Sequence, residues 1–486
     1  MDRRYEGFGF PSWCADAMSR NYWAKALVLF TIIINSNTHG GIREELLSIQ
    51  PSSQLAGSGT VSSKGIESYR QILANAPISS RATFSFGKIQ FNTEWDPAPG
   101  EVPANDGLGP TFNAIACASC HINNGRGRPP LFPEEELEGL LIRLSSAGVN
   151  IHGGPKPLAN YGDQFQHRSI ENVPSEGKVT IEYEVILGNY ADGSSYELRK
   201  PKILFKELNF GLLPEDAMFS ARIANPVMGL GLIEAIPEST LEAFADPEDR
   251  NNDGISGRVN RVWSSEFNQV MLGRFGWKAN VATIPEQNAG AALGDMGITT
   301  IINPSDNCTL IQSSCIKAAN DHADEIEFQK DFFEQLTRYV RLLGVPEQRN
   351  NKEAEIKLGE ELFYSSDCAK CHIPTLKTSE DAIFPELANQ TIHPYTDLLL
   401  HDMGKGLADN RPDFLATGSE WRTPPLWGIG LTEEVTGYEF YLHDGRARNL
   451  SEAILWHGGE ASKAREKFVR MPSASRKTLI NFIKSL

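Results

Sequence analysis

Two segments of the chain set a pair of thiols and an imidazole on one helical turn: Cys117-Ala-Ser-Cys120-His121 and Cys368-Ala-Lys-Cys371-His372. Two thiols at this spacing can add across the two vinyl groups of a haem, and the histidine directly after the second can ligate its iron. With seven Cys and ten His in 486 residues, chance would supply roughly 0.002 such motifs. A redox dithiol or half a zinc site would not carry His in both copies, and no further Cys pair stands at zinc spacing. The chain therefore reads as holding two covalent haem c groups, attached at Cys117, Cys120, Cys368 and Cys371 and ligated by His121 and His372.

Other polar groups could serve these sites. After the first motif, Asn124-Gly-Arg-Gly-Arg-Pro-Pro130 forms a turn-rich loop whose Arg126 and Arg128 either pair with haem propionates or stay solvated. Asp249, Asn251 and Asp253 alternate before Gly254 as in a loop that wraps calcium, but the twelfth position holds Asn260 instead of a bidentate Glu. A calcium site and a plain acidic turn both fit. Cys308 and Cys315 enclose a short loop, for which a local disulfide is expected in an oxidising compartment.

The elements that must position these groups read as mainly α-helical. Glu353–Tyr364 has the period of an amphipathic helix with Ile356, Leu358, Leu362 and Phe363 on one side, and Gly359 would permit a close helix crossing. A helix of this kind running into C-x-x-C-H resembles the opening of a cytochrome c domain. Longer helical stretches are expected at Asp324–Leu343 and Glu452–Leu486. Roughly 250 residues separate the two motifs, more than one cytochrome c unit needs. The first domain must therefore carry an insertion. Val179, Ile181, Tyr183 and Val185 alternate with polar residues and Asp192-Gly193 offers a turn before a second extended run from Tyr196, so part of the insertion is a small β-hairpin or sheet.

The predicted organisation is an export signal at 1–40, an N-terminal haem domain with insertion at 41–302, a linker at 303–325 and a C-terminal cytochrome c domain at 326–486. Arg20 and Lys25 precede the apolar run Ala26–Ile34, which is too short to span a bilayer, and Met18 would be the better start. Cys14 then falls outside the mature protein, which is expected in the periplasm. The formal charge of −16 argues against nucleic acid or an anionic membrane as the main partner and favours a cationic one.

The order of motifs resembles the bacterial di-haem cytochrome c peroxidases, and more closely their relatives described as di-haem oxidoreductases, also labelled thiol oxidoreductases. The resemblance rests on residues 107–130, GLGLIEAIPE at 229–238, DPEDRNNDGISGR at 246–258, GRFGWKA at 273–279, PYTDLLLHDMG at 394–404, and the segments WRTPPLWGIGL and FYLHDGRARNLSEAILWHGGEA within 421–461. It implies that the His372 haem receives electrons and the His121 haem meets hydrogen peroxide. In the peroxidases a Met stands fourteen residues past the His of an H-D-G turn; counting from His443 reaches His457, so bis-histidine ligation of the second haem is expected, with Met403 as rival ligand. Bis-histidine ligation should lower the potential relative to a Met-ligated haem. Glu234 resembles the acid these enzymes keep near the peroxidatic iron, where O–O cleavage needs a proton moved between oxygens. Trp277 resembles the tryptophan between the two haems. His152, His167 and Met228 stand as candidates for the distal side of the first haem, and His401 and His443 read as structural.

The resemblance thus implies a peroxidase that takes electrons from a small cytochrome c or cupredoxin. Two other classes remain. A pure electron carrier would have both irons saturated and no use for an acid at Glu234. A di-haem enzyme could instead oxidise a protein or organic substrate, but thiol exchange finds no support, because two haems and a disulfide leave no mature cysteine free.

Overall fold

The structure, a computed structural model, describes residues 41–321 and 326–486. The expected export signal, with Cys14 and Met18, and residues 322–325 of the expected linker lie outside them. The fold is built mostly of short helices joined by long ordered loops, with small antiparallel sheets of two or three strands. No helix among the described residues is long and apolar enough to cross a membrane.

The helix expected before the second motif spans Ala354–Ser365 and buries Ile356, Gly359 and Phe363. Leu358, expected on the same side, is exposed, because positions 356, 359 and 363 share a helical face and 358 points away from it. Gly359 meets the helix Ser473–Ser485: a Cβ there would come 2.5 Å from the Thr478 carbonyl oxygen and 2.5 Å from the Phe482 Cβ. Close approach is therefore what excludes a larger residue. The expected stretch Glu452–Leu486 is not one helix but Leu450–Leu455, Ser462–Arg470 and Ser473–Ser485. Gly459, at positive φ, breaks the first from the second, and Pro472, which cannot continue a helical ladder, caps the third. The stretch expected at Asp324–Leu343 is helical over Lys330–Arg341, where Phe333, Leu336, Tyr339 and Val340 are buried.

The alternating segment forms a long hairpin, Lys178–Asn189 paired with Ser195–Lys206 in unbroken register. Val179 and Ile181 are buried at its base, but Val185 and Leu187 near the tip are exposed. The tip leaves its own half of the sequence: the Ala191 N–H donates to the Val469 carbonyl, Asp192 pairs with Arg476 at 2.8 Å, and the Arg476 guanidinium lies 3.7 Å from the Tyr190 ring centroid. A second sheet joins Pro155–Lys156, Leu140–Val149 and Met218–Ile223. Cys308 and Cys315 are disulfide-bonded, with Cα atoms 5.7 Å apart.

Buried side chains from Leu46 to Leu486 form one continuous cluster. The chain near its described start contributes directly to the far half: Val61 N–H donates to Val345 O, Leu73 N–H to Leu342 O and His393 N–H to Leu55 O. Residues 52–76 therefore line the C-terminal part of the core.

Candidate functional site

Cys117–Cys120 make one helical turn closed by His121 N–H to the Cys117 carbonyl. Both thiols and His121 open on a cavity of about 240 Å³ walled by Phe91, Met228, Ile233, Trp277 and Leu336. Burial pushes the two thiols up to about 12, so neither is a reactive thiolate at neutral pH. Burial likewise lowers His121 to about 4, which keeps the imidazole neutral and able to ligate a metal. Among the described residues no partner meets its Nδ1 in hydrogen-bonding geometry, although the Asn225 and Gly125 backbones lie near enough to oppose part of the shift.

The second cavity, about 180 Å³, is lined by Cys368, Cys371, His372, Met403, His443 and His457. His372 Nδ1 lies 3.0 Å from the Tyr395 carbonyl and His457 Nδ1 2.7 Å from the Ala453 carbonyl. A carbonyl only accepts, so each ring carries its proton on Nδ1 and keeps the Nε2 lone pair free. Burial lowers the pKa of both, His372 to about 4. Met403 also reaches this cavity. His443 stacks on Trp421 with centroids 3.7 Å apart. His401 is set differently, 2.9 Å from Asp397 and 2.7 Å from Glu460. Burial is the largest single effect and would depress its pKa, but Asp397 and Cys371 together outweigh it and hold His401 well above the ordinary histidine value.

Trp277, Arg126, Arg422 and Pro424 line both cavities. The Trp277 ring is fixed by Nε1–H donating to the Ile223 carbonyl at 2.8 Å. Arg126 is buried, has no carboxylate partner among the described residues, and lies 5.7 Å from the Trp277 ring centroid and 5.6 Å from that of Tyr441. Among the described residues the Arg422 guanidinium donates only to the Gly276 and Thr423 carbonyls. Burial first, and Arg126 second, lower its pKa to about 10. Leaving a cation buried and unpaired costs several kcal/mol. Two such cations between the cavities suit anionic groups, and the carboxylates at a haem edge fit. Arg128, by contrast, is satisfied by Glu135 at 2.6 Å.

Two cavities thus each carry C-x-x-C-H at the wall and share a tryptophan between them. A family described as "Di-haem oxidoreductase, putative peroxidase" matches residues 52–486, nearly the whole chain. The chain belongs to this family. Membership in the di-haem oxidoreductases implies two haem groups, and the donor sets above fit them. No curated protein matches. Among solved structures, a chain of Kuenenia stuttgartiensis hydrazine synthase under xenon is 13% identical, with 90% of this chain and 96% of that chain covered and a TM-score of 0.31.

Within this di-haem oxidoreductase, Glu234 does not reach the first cavity. Its carboxylate accepts from the Ile284 N–H at 2.8 Å and from Arg341 at 2.6 and 3.1 Å, so it caps the helix Ile284–Met296 and is absent from the cavity wall. Glu286 and Gln287, one turn further on, line the cavity instead. The signal for Glu286 was local: Thr283 is the N-cap and Glu286 the third helical residue, a capping box, and such a pattern reads as a helix start with no hint that the glutamate faces a cavity. A second acid, Asp295, also lines the cavity, with burial raising it to about 6. It lies toward the thiols, since its charge acts on Cys117 and Cys120.

Of the three distal candidates, Met228 alone lines the cavity. His167 Nδ1 lies 2.8 Å from the Asn113 amide, and exposed His152 stacks on Trp263. The Asp249–Asp253 loop is satisfied from within: Asp249 accepts from the Asp253 and Gly254 N–H groups, Lys370 pairs with Asp253 at 3.2 Å, and Lys463 donates to the Asp253 carbonyl. Two lysines thus meet Asp253, and one of them belongs to the second C-x-x-C-H turn.

Proposed function

We propose that the chain is an exported, periplasmic peroxidase that passes electrons from a small donor protein, through two covalently attached haem c groups, to hydrogen peroxide. The observation that supports this is the unequal equipment of the cavities. The second gathers two imidazoles with free Nε2 atoms, His372 and His457, whereas the first combines one imidazole, His121, with Glu286 and Gln287. Two imidazoles saturate an iron for electron transfer, and a single one leaves a position for a substrate.

When bound, the haems supply electron storage and the iron at which peroxide is taken. The protein's part is attachment and ligation by the two C-x-x-C-H turns, with His457 as second ligand in the C-terminal cavity. Arg126 and Arg422 supply buried positive charge for the haem carboxylates, and Trp277 fills the space between the cavities. Glu286, at the cavity wall, takes the proton of the inner peroxide oxygen and gives it to the outer one, the role that the family resemblance had placed on Glu234. The acidic chain, −16 overall, suits a basic cytochrome c or cupredoxin.

Electron paramagnetic resonance of the fully oxidised and half-reduced protein tests the reading. A high-spin ferric signal that is lost on adding cyanide, together with peroxide turnover, is expected. Two low-spin, ligand-inert haems in both states would leave an electron carrier as the correct description.

A further inference from the structure

We propose that Glu266 and Thr283 form a proton inlet to Glu286, an inference that rests on the peroxidase reading above. Reduction of peroxide breaks one O–O bond and forms two O–H bonds: one H2O2, two protons and two electrons from the one-electron donor protein give two waters. Two protons must therefore enter the first cavity in each turnover, while Glu286 itself is nine-tenths buried.

The only acid that bonds to the Thr283 hydroxyl besides Glu286, among the described residues, is Glu266, which is exposed. Thr283 Oγ1 lies 2.7 Å from Glu266 Oε2 and 3.3 Å from Glu286 Oε2. A hydroxyl has one proton to give, and the shorter contact takes it. The same hydroxyl oxygen accepts the Glu286 N–H at 3.3 Å, which keeps it beside Glu286 Oε2, so the hydroxyl can turn its proton from one carboxylate to the other. The three groups form a chain, Glu266 carboxyl to Thr283 hydroxyl to Glu286 carboxyl, with one end in solvent and the other at the cavity. When Glu286 gives its proton to peroxide, the hydroxyl proton passes to Glu286 and a proton taken up by Glu266 replaces it.

The neighbouring charges suit this use. Burial, then Glu286 and Glu234, raise the Glu266 pKa against the opposing effects of Thr283 and Arg341. Arg341 is the cation whose charge acts on Glu266, and Glu234 already engages it in two hydrogen bonds. Ser265 Oγ and the Glu266 N–H also approach Glu286 Oε1, at 3.4 and 3.3 Å, which holds the outer loop against the inner carboxyl.

The test uses the haem-loaded protein and its Glu266→Gln, Thr283→Ser, Thr283→Val and Glu286→Gln variants, with two readouts. In infrared difference spectra across pH, the carboxylic acid band lost in Glu286→Gln should titrate at lower pH in Glu266→Gln, because a like charge has been removed. In steady-state peroxide reduction, Glu266→Gln should lower kcat about 10-fold, enlarge the solvent isotope effect and recover in part with added formate, and Thr283→Ser should keep the parent rate that Thr283→Val loses. An unshifted Glu286 band, or a Glu266→Gln pH profile that superimposes on the parent, overturns the inlet even if peroxide is reduced. Absence of peroxide reduction in the parent, with the band shift present, overturns the peroxidase reading and its proton inlet together while leaving the coupling of the two carboxyls as a structural fact.

Discussion

Replacing Glu234 by Gln separates the two glutamates that compete for a chemical role. Glu234 receives two hydrogen bonds from Arg341 and one from the Ile284 N–H, and the Glu234 and Arg341 side chains are 15% and 13% exposed. The amide of Gln can satisfy the Ile284 N–H, but it presents a donor to a guanidinium that needs an acceptor. Breaking one side of a buried pair costs ~3–5 kcal/mol, and the residual exposure places this case at the lower end, about 3 kcal/mol. In a chain of this size each kcal/mol moves the unfolding midpoint by at most ~2 °C, so Glu234→Gln should melt about 5 °C below the parent. Its peroxide turnover, measured well below that midpoint, should stay within about twofold, whereas Glu286→Gln should lose ~100-fold or more, the usual contribution of a positioned acid. Differential scanning fluorimetry and stopped-flow turnover on the same preparations decide the matter. A Glu234→Gln protein with an unchanged midpoint and a 100-fold loss of turnover would refute the assignment and return the acid role to Glu234.

Three further outcomes are expected. His457→Ala should open the sixth position of the second haem and add one high-spin iron per chain by electron paramagnetic resonance; a spectrum that stays low-spin would identify Met403 as the ligand. Gly359→Ala should destabilise by about 1–2 kcal/mol in denaturant titrations, since overpacking against Thr478 and Phe482 exceeds the helix-propensity gain of ~1 kcal/mol; a stabilised variant would mean that the helices separate freely. The raised pKa of His401 makes its cation stabilising below the unfolded value of ~6.5, a contribution lost as pH rises through the folded value. Glu460, which burial would raise but His401 pulls down, contributes above its unfolded value, and that part is lost as pH falls through the folded value. The midpoint difference between parent and His401→Gln should therefore shrink at both pH extremes, and parallel melting curves across pH would contradict it.

The chemistry-bearing turns were legible because C-x-x-C-H is local and improbable, and the hairpin because alternation over several residues has few other meanings. The close crossing at Gly359 followed from a glycine in an otherwise good helix. What escaped depends on contacts distant in sequence. Leu358 and Phe363 read as one apolar side when counted loosely, yet only the angular positions decide which of them meets the helix Ser473–Ser485. Glu234 and Glu286 both sit near the ends of short helices, and nothing in the spacing of either tells which carboxylate is spoken for by Arg341, more than fifty residues away. Arg126 and Arg128 are two positions apart in one loop, and only the fold buries the first beside Trp277 and gives the second to Glu135. The packing of residues 52–76 on the C-terminal half has no local signature at all.

The hairpin Lys178–Lys206 has a consequence for the order in which the molecule can be completed. Its tip is held by Val469 and Arg476, and the Asp192–Arg476 contact joins residues 284 positions apart. During synthesis the hairpin emerges long before its receptor, and a two-stranded ribbon standing alone is marginal in water. Among the described residues its two outer edges stay unpaired and Val185, Ile186 and Leu187 stay exposed even in the complete fold, so until the last helices arrive to hold the tip the loose ribbon is open to misplaced strand pairing. A chain cut short before Val469 would keep both C-x-x-C-H turns and lose the clasp, so its failure should appear as aggregation before any loss of haem attachment.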